Sequence, residues 1–351
     1  MTDEEGKMNR VTNLTTAPGL MDLQVNGYAG TDVNSENLQP ADLKDMSVKL
    51  WSEGVTTWFP TVITNSNENI IRSLKIISEA CRLHNEAKTS IGGIHLEGPF
   101  ISPEEGPRGA HPSAHVMPPA WDPFSRWQEA SGGIIKIVTL SPEWPQSPDF
   151  IRRCVRSGVI AAIGHTAAEP EQIREAVDAG ATLSTHLGNA SHQMLPRHHN
   201  YIWEQLAADN LYISIISDSF HLPDSVLKVF LKVKQGKTIL VSDSTQFTRM
   251  KPGDYSTHIG GEVTLTPAGK LHIKGMPNVL AGSGLSLLHC VNTLISKKLA
   301  SPAEAWDMAS VVPTKFTGLL NPSDQVMMEL TDEGYVIRKT IKAGKVVYKK
   351  V

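Results

Sequence analysis

The sequence predicts an α/β protein built on a closed (β/α)₈, or TIM, barrel with a small, reduced β-appendage, and three observations predict it. Apolar, β-branched runs of strand length alternate eight times with segments of helical period. The alternation fills about 230 residues, close to the roughly 250 typical of such barrels. Five of the eight runs end in or run into His, Glu or Asp, at the end where a parallel barrel assembles its chemistry. A doubly wound open sheet is the alternative architecture.

The eight strands are expected at 20–25 (LMDLQV), 55–62 (VTTWFPTV), 91–96 (IGGIHL), 134–140 (IIKIVTL), 159–163 (VIAAI), 181–186 (ATLSTH), 211–216 (LYISII) and 238–242 (TILVS). Helices are expected between them at 41–53, 67–87, 122–131, 148–157, 169–179, 200–209 and 223–234. In 169–179, Pro170 suits a helix start, Ile173, Ala176 and Val177 make one apolar stripe, and Gly180 stops it. After the eighth strand, 258–274 alternates apolar and polar residues around Pro267-Ala268-Gly269 and reads as a β-hairpin. Helical period returns at 284–298 and 302–309. The stretch 325–349 reads as two or three short strands with turns at Asp332-Glu333-Gly334 and Ala343-Gly344. Only 17 residues precede Pro18, without a convincing strand pair, so the appendage is expected from the C-terminal strands alone. This gives a short segment 1–17, a barrel unit 18–320 that includes the hairpin, and an appendage 321–351.

Composition narrows the function classes. The 351 residues carry 33 Lys+Arg against 36 Asp+Glu, a formal net charge of −3, with 40% hydrophobic and 20% charged residues. That balance suits a folded globular chain and gives no basic field for nucleic acid, so any phosphate contact is a small local pocket. No apolar run approaches the about 20 residues of a membrane helix, and MTDEEGKMNR lacks the apolar core of a secretory signal. A cytoplasmic location follows as the expectation. The three cysteines, Cys81, Cys154 and Cys290, are far apart and lack a CxxC pattern, which argues against a disulfide framework and a thiolate zinc site.

The strand ends carry the chemistry. Strand three ends in His95-Leu96-Glu97-Gly98-Pro99, strand five runs into Gly164-His165-Thr166, and strand six ends in Thr185-His186-Leu187-Gly188-Asn189. Strand seven leads to Asp218-Ser219-Phe220-His221, and strand eight to Ser242-Asp243-Ser244. Any one of these residues alone reads as a hydrogen-bonded polar side chain or a turn cap. Their coincidence around one mouth favours a site. Glu97, His165 and His186 are the expected ligands of one divalent metal ion, Zn²⁺ first and Fe²⁺ as the alternative, leaving positions open for water and a substrate oxygen. Asp243 is the expected general acid/base. His221 either polarises a carbonyl and holds the developing oxyanion or serves as a supporting hydrogen-bond partner. His95 shares the face of Glu97 and is expected to support it from the barrel interior.

The ordered elements PGLMDLQVNGYAG, HLEGPF, RGAH, GHTAA, THLGNA, SDSFHLP, LVSDS and LAGSGLSL resemble the amidohydrolase superfamily and, within it, the N-acetylglucosamine-6-phosphate deacetylases, from about Pro18 to about Gly318. The resemblance implies removal of acetate from the 2-acetamido group of a sugar 6-phosphate. It assigns metal binding to Glu97, His165 and His186, acid/base work to Asp243 and contact with the substrate carbonyl to His221. It puts Asn189, Ala190 and His111 among the substrate-binding residues and Arg197 on the phosphate. Where many superfamily members carry His-x-His for a second metal, this chain has Gln24 and Asn26, which implies a single ion. Phosphate contacts that cross a dimer interface in the family imply a homodimer. Two features depart from the family: the stretch SHQMLPRHHNYIWEQLA at 191–207, with His192, His198 and His199, and the short segment before Pro18.

The expected activity is therefore metal-dependent deacetylation of N-acetylglucosamine 6-phosphate. The alternatives are hydrolysis of another N-acyl sugar or an N-acyl amino acid, and a barrel that binds sugar without catalysis. No strand-end lysine suggests Schiff-base chemistry.

Overall fold

The computed structural model describes residues 14–257 and 261–350. Eight parallel strands form the barrel in chain order: Leu20–Val25, Val55–Ile63, Ile94–Glu97, Ile135–Leu140, Ile160–Ile163, Leu183–Ser184, Tyr212–Ile215 and Thr238–Leu240. The third strand begins later than 91, and the sixth is only two residues long. The sixth ends early because His186 takes a left-handed backbone, φ 30°, which a continuing strand cannot adopt.

Alternation along the strands divides the core. Ala161 and Ile163 face outward into the large cluster that includes helix residues Leu43, Leu74, Phe150, Ile173 and Leu227. Ala162 points the other way, into a smaller cluster with Met21, Leu23, Phe59, Ile137 and Ile239. The helix Pro170–Asp178 shows how sequence sets an element: Glu169 and Gln172 close a reciprocal cap, Pro170 opens the first turn, and Gly180 leaves it at φ 109°. The segment 67–87 divides into Asn67–Leu83 and Asn85–Ser90, and a further helix, Val311–Thr317, lies outside the expected set.

The first and last barrel strands meet through a sparse seam. Asn26 and Gly27 donate backbone N–H groups to Ser244 O at 2.9 and 3.1 Å. Below them the buried carboxylate of Asp22 accepts from Ser242 N at 3.2 Å and Gln24 N at 3.3 Å. Burial pushes the Asp22 carboxyl up to about 7, against the lowering effect of the Ser242 contacts.

The expected hairpin is the centre of a larger unit: Gly261–Leu265 and Leu271–Ile273 pair antiparallel, flanked by Gly253–Thr257 and Met276–Leu280. Its residues 258–260 lie outside the described residues. The appendage requires a correction. Gln325–Thr331, Gly334–Lys342 and Lys345–Lys349 form it together with Leu14–Pro18, which pairs antiparallel with Gln325–Thr331. Leu14–Pro18 had no recognisable strand partner nearby because its partner lies about 300 residues away in sequence, beyond the reach of local pattern. The rest of the segment 1–17 lies outside the described residues. Ala343 and Gly344, both at positive φ, make the tight turn into the last strand.

A buried ion pair, Asp324 with Lys342, closes this sheet on itself where it meets the barrel: Lys342 Nζ also lies 3.5 Å from Thr57 Oγ1 of the second barrel strand, and Asp324 O accepts Gly19 N at 3.2 Å. Burial draws the Lys342 ammonium down from the ordinary lysine range, and Asp324 opposes it. Asp324→Ala strands that ammonium and is expected to cost about 3–5 kcal/mol in denaturant unfolding. Pairing it with Lys342→Met should recover most of the loss.

Candidate active site

Each functional side chain is placed by the end of a strand. Glu97 closes the third strand, and His165 follows the fifth through Gly164. A Cβ at 164 would sit 2.8 Å from Thr139 and Thr185 side-chain atoms, so only glycine lets strands four to six approach here. His165, His186 and Asp243 all adopt left-handed backbone, at φ 51°, 30° and 48°. Such conformations are uncommon outside glycine and gather where a site demands them.

Glu97, His165 and His186 are buried and converge. Glu97 Oε1 lies 3.0 Å from His186 Nε2 and 3.3 Å from His165 Nε2, and the two Nε2 atoms are 3.2 Å apart. Nδ1 of His165 bonds Pro107 O at 2.9 Å, so Nδ1 carries the hydrogen and Nε2 offers a lone pair to the centre. Burial pushes the Glu97 carboxyl up, but the adjacent imidazoles of His165 and His186 outweigh it and hold it well below the usual range. Two imidazoles and a carboxylate at these separations suit ligands arranged about one ion with bonds of about 2 Å. The set fits a metal.

Strand one supplies partners rather than ligands. Gln24 Nε2 donates to Glu97 Oε1 at 2.8 Å, and Asn26 Nδ2 donates to Asp243 Oδ1 at 2.6 Å. Each working carboxylate thus has one oxygen fixed by an amide. Desolvation, then the Glu97 charge, push the Asp243 carboxyl up to about 6, opposed by His186, His221 and the Asn26 hydrogen bond. His221 Nδ1 bonds Asp218 Oδ2 at 2.7 Å.

A cavity of about 270 Å³ opens over this group, lined by Glu97, His165, His186, His221, Asp243, His111, Asn189 and Ala190 among others. His111 bonds Thr64 Oγ1 at 2.7 Å and packs edge-on against His165 at 4.4 Å between ring centres. Burial and the neighbouring His165 draw its imidazole down to about 3, so it is neutral at working pH. The inserted sheet reaches the rim with Thr257 and Leu280.

One expectation is corrected. His95 is buried in the interior but bonds Leu23 O at 2.9 Å and Thr139 Oγ1 at 2.7 Å, linking the third strand to the first across the interior and to the fourth beside it; the partners of Glu97 are Gln24 and the two histidines. Arg197 is exposed and does not line the cavity of its own chain. Asn200 caps the helix Tyr201–Ala207 and bonds Pro196 O, and the loop carrying Arg197 stands outside the mouth. The roles of Gln24, Asn26 and Asp218 as partners are visible only in three dimensions. Their signal in sequence is an amide or carboxylate beside a strand-end residue, which is too common to single out.

Residues 15–322 match the profile of the amidohydrolase family, and the chain belongs to that family. Among its relatives, the N-acetylglucosamine-6-phosphate deacetylase of Bacillus subtilis (strain 168) is 35% identical over 276 residues, covering 77% of this chain and 67% of the relative. The enzyme of that name from Bos taurus is 30% identical over 350 residues, covering 95% and 83%. The crystal structure of N-acetylglucosamine-6-phosphate deacetylase from Thermotoga maritima superposes with a TM-score of 0.81 at 26% identity, covering 95% of this chain and 89% of that one.

Proposed function

We propose that this chain hydrolyses the acetamide of N-acetylglucosamine 6-phosphate to acetate and glucosamine 6-phosphate. One observation carries the reading: a three-ligand metal set, a separate anchored carboxylate and an oriented imidazole line one small cavity. The similarity to deacetylases points the same way. Glu97, His165 and His186 would hold a divalent ion, zinc in the first place and iron in the second. When bound, such an ion acidifies water and withdraws charge from an acyl oxygen.

The chain's own residues do the rest. Asn26 occupies Asp243 Oδ1, leaving Oδ2 to take a proton from the attacking water. The water oxygen bonds the acyl carbon, the carbon–nitrogen bond breaks, and Asp243 returns the proton to the departing amine. His221 hydrogen-bonds the acyl oxygen. Asn189, Ala190 and His111 flank the sugar.

For the phosphate, we place Arg197 in the pocket of a second copy of the chain. The described residues lining the cavity include no Lys or Arg, and the exposed Met194 and Trp203 flank the Arg197 loop as an apolar surface for such a pairing. A cytoplasmic setting fits the three free thiols.

Acetate release from N-acetylglucosamine 6-phosphate, N-acetylgalactosamine 6-phosphate and unphosphorylated N-acetylglucosamine tests the reading. N-acetylglucosamine 6-phosphate is expected to lead the unphosphorylated sugar by about 100-fold in kcat/KM, with Arg197→Ala raising KM for the phosphorylated sugars alone. Equal rates with and without phosphate would favour the second reading, a deacetylase of an uncharged N-acyl sugar.

A further inference from the structure

The histidine-bearing segment 191–207 holds one ring that bridges two parts of the fold. His192 Nε2 lies 3.0 Å from Glu104 Oε2, its Nδ1 lies 3.1 Å from the Tyr201 hydroxyl, and that hydroxyl accepts the His192 backbone N–H at 2.9 Å. A neutral ring completes the chain: the phenol donates to Nδ1, and Nε2–H donates to the carboxylate. A ring with hydrogens on both nitrogens keeps the same partners, so the link does not depend on its charge.

Glu104 lies on the loop that leaves the third barrel strand, and His192 on the loop that leaves the sixth. The two loops touch again at Gly106, where a Cβ would stand 3.1 Å from Ser191 O and 3.2 Å from His192 Cα. Gly106 has φ 94°, so glycine serves both the turn and the close approach. They meet a third time at Gly109, whose Cβ would stand 3.9 Å from Ala190 Cβ. Between these contacts Pro107 O accepts His165 Nδ1–H at 2.9 Å. Arg108 N bonds Glu104 O at 2.9 Å and Gly109 N bonds Gly106 O at 3.0 Å, so Glu104 and Pro107 belong to one hydrogen-bonded turn.

We propose that His192 is a positioning residue for the metal centre. By holding Glu104 it sets where the turn lies, and through Pro107 O it fixes the tautomer and ring plane in which His165 presents Nε2. The proposal rests on the reading of Glu97, His165 and His186 as metal ligands. The group behind a ligating imidazole governs its orientation and basicity. Here that group is a carbonyl on a loop, and the loop takes its place from its neighbour. Glu104 is exposed and His192 partly so, and a pair of this kind adds little to global stability. Its effect belongs to the centre rather than to the fold, and the two can be measured apart.

Zn²⁺ added to the metal-free protein in competition with a chromophoric chelator gives Kd without reference to turnover. His192→Phe keeps a ring but neither of its hydrogen bonds, and Glu104→Ala removes the other end of the link from an exposed position. Each is expected to raise the Kd for Zn²⁺ about tenfold, the low end of what loss of an outer partner costs. The double variant should lose no more than either single one, because both changes open the same link. His192→Gln, whose carboxamide N–H can still reach Glu104, should recover most of the affinity. Unfolding midpoints of the metal-free proteins should all match.

An unchanged Kd in the single variants, losses that add in the double variant, or a glutamine variant as weak as the phenylalanine one would overturn the proposal. So would a metal-free midpoint that falls, since the loss would then belong to the fold as a whole. An unaltered protein that takes up no Zn²⁺ would instead sink the reading of the ligand set. If His192→Phe does not fold, Glu104→Ala decides from the other end of the link.

Discussion

Asp243→Asn is expected to lose about 10³-fold in acetate release while keeping its metal and its fold. The expectation of an intact fold comes from the local backbone. Asp243 sits at φ 48°, and asparagine tolerates that left-handed conformation as well as aspartate does. The Asn26 contact survives too, because a carboxamide oxygen accepts from Asn26 Nδ2 as the carboxylate does. What disappears is the oxygen that takes and returns a proton. Metal content and circular dichroism should match the unaltered protein, and activity within tenfold of it would show that another group serves as base.

The same residue sets an acid limit on activity. A base must be ionised, so the rate falls as pH drops through the Asp243 carboxyl range. Desolvation and the Glu97 charge push that range up to about 6, and a bound dication brings it down. The acid limb of kcat/KM is therefore expected at or below pH 6. A limb well above pH 6 would point to a different group.

Glu97→Gln should abolish metal binding at ordinary concentrations. It removes the only charged member of the ligand set, which pairs with both His165 and His186. The loss of affinity is expected to exceed the roughly 10–100-fold that removal of an outer partner costs. Elemental analysis after dialysis against a weak chelator reads it directly. Thermal unfolding gives an independent view, since a ligand that binds only the folded chain raises its stability. Added Zn²⁺ should raise the midpoint of the unaltered protein and leave that of the variant in place. Retention of one ion per variant chain would place the binding elsewhere.

Local pattern made the barrel legible because parallel strands buried on both faces read as apolar runs, and Ala161, Ala162 and Ile163 illustrate the type. Placing these strands in order was enough to expect Glu97, His165, His186 and Asp243 around one cavity, where the structure puts them, since strand ends share one mouth. What escaped detection is long-range. Gln24 meets Glu97 73 residues away, and Asn26 meets Asp243 217 residues away, so no window of sequence contains either pair. The pairing of Leu14–Pro18 with the C-terminal sheet escaped for the same reason. Asp218 lies only three residues from His221, yet an Asp before a His at a turn reads equally well as a cap. The conformation of His165, His186 and Asp243 was illegible for another reason: their backbones are held by the surrounding fold against their own local preference.

The sparse seam between the first and last barrel strands also gives the site a history within each molecule's synthesis. Glu97, His165 and His186 leave the ribosome together with the first six strands, long before Asp243 emerges. The base reaches Asn26 only when the eighth strand lays Ser242 and Ser244 against strand one, a contact between distant parts of the chain that forms late. A nascent or prematurely terminated chain thus carries the proposed ligands Glu97, His165 and His186 but not the proposed base, Asp243. The proposed site is whole only once the closing strand is in place.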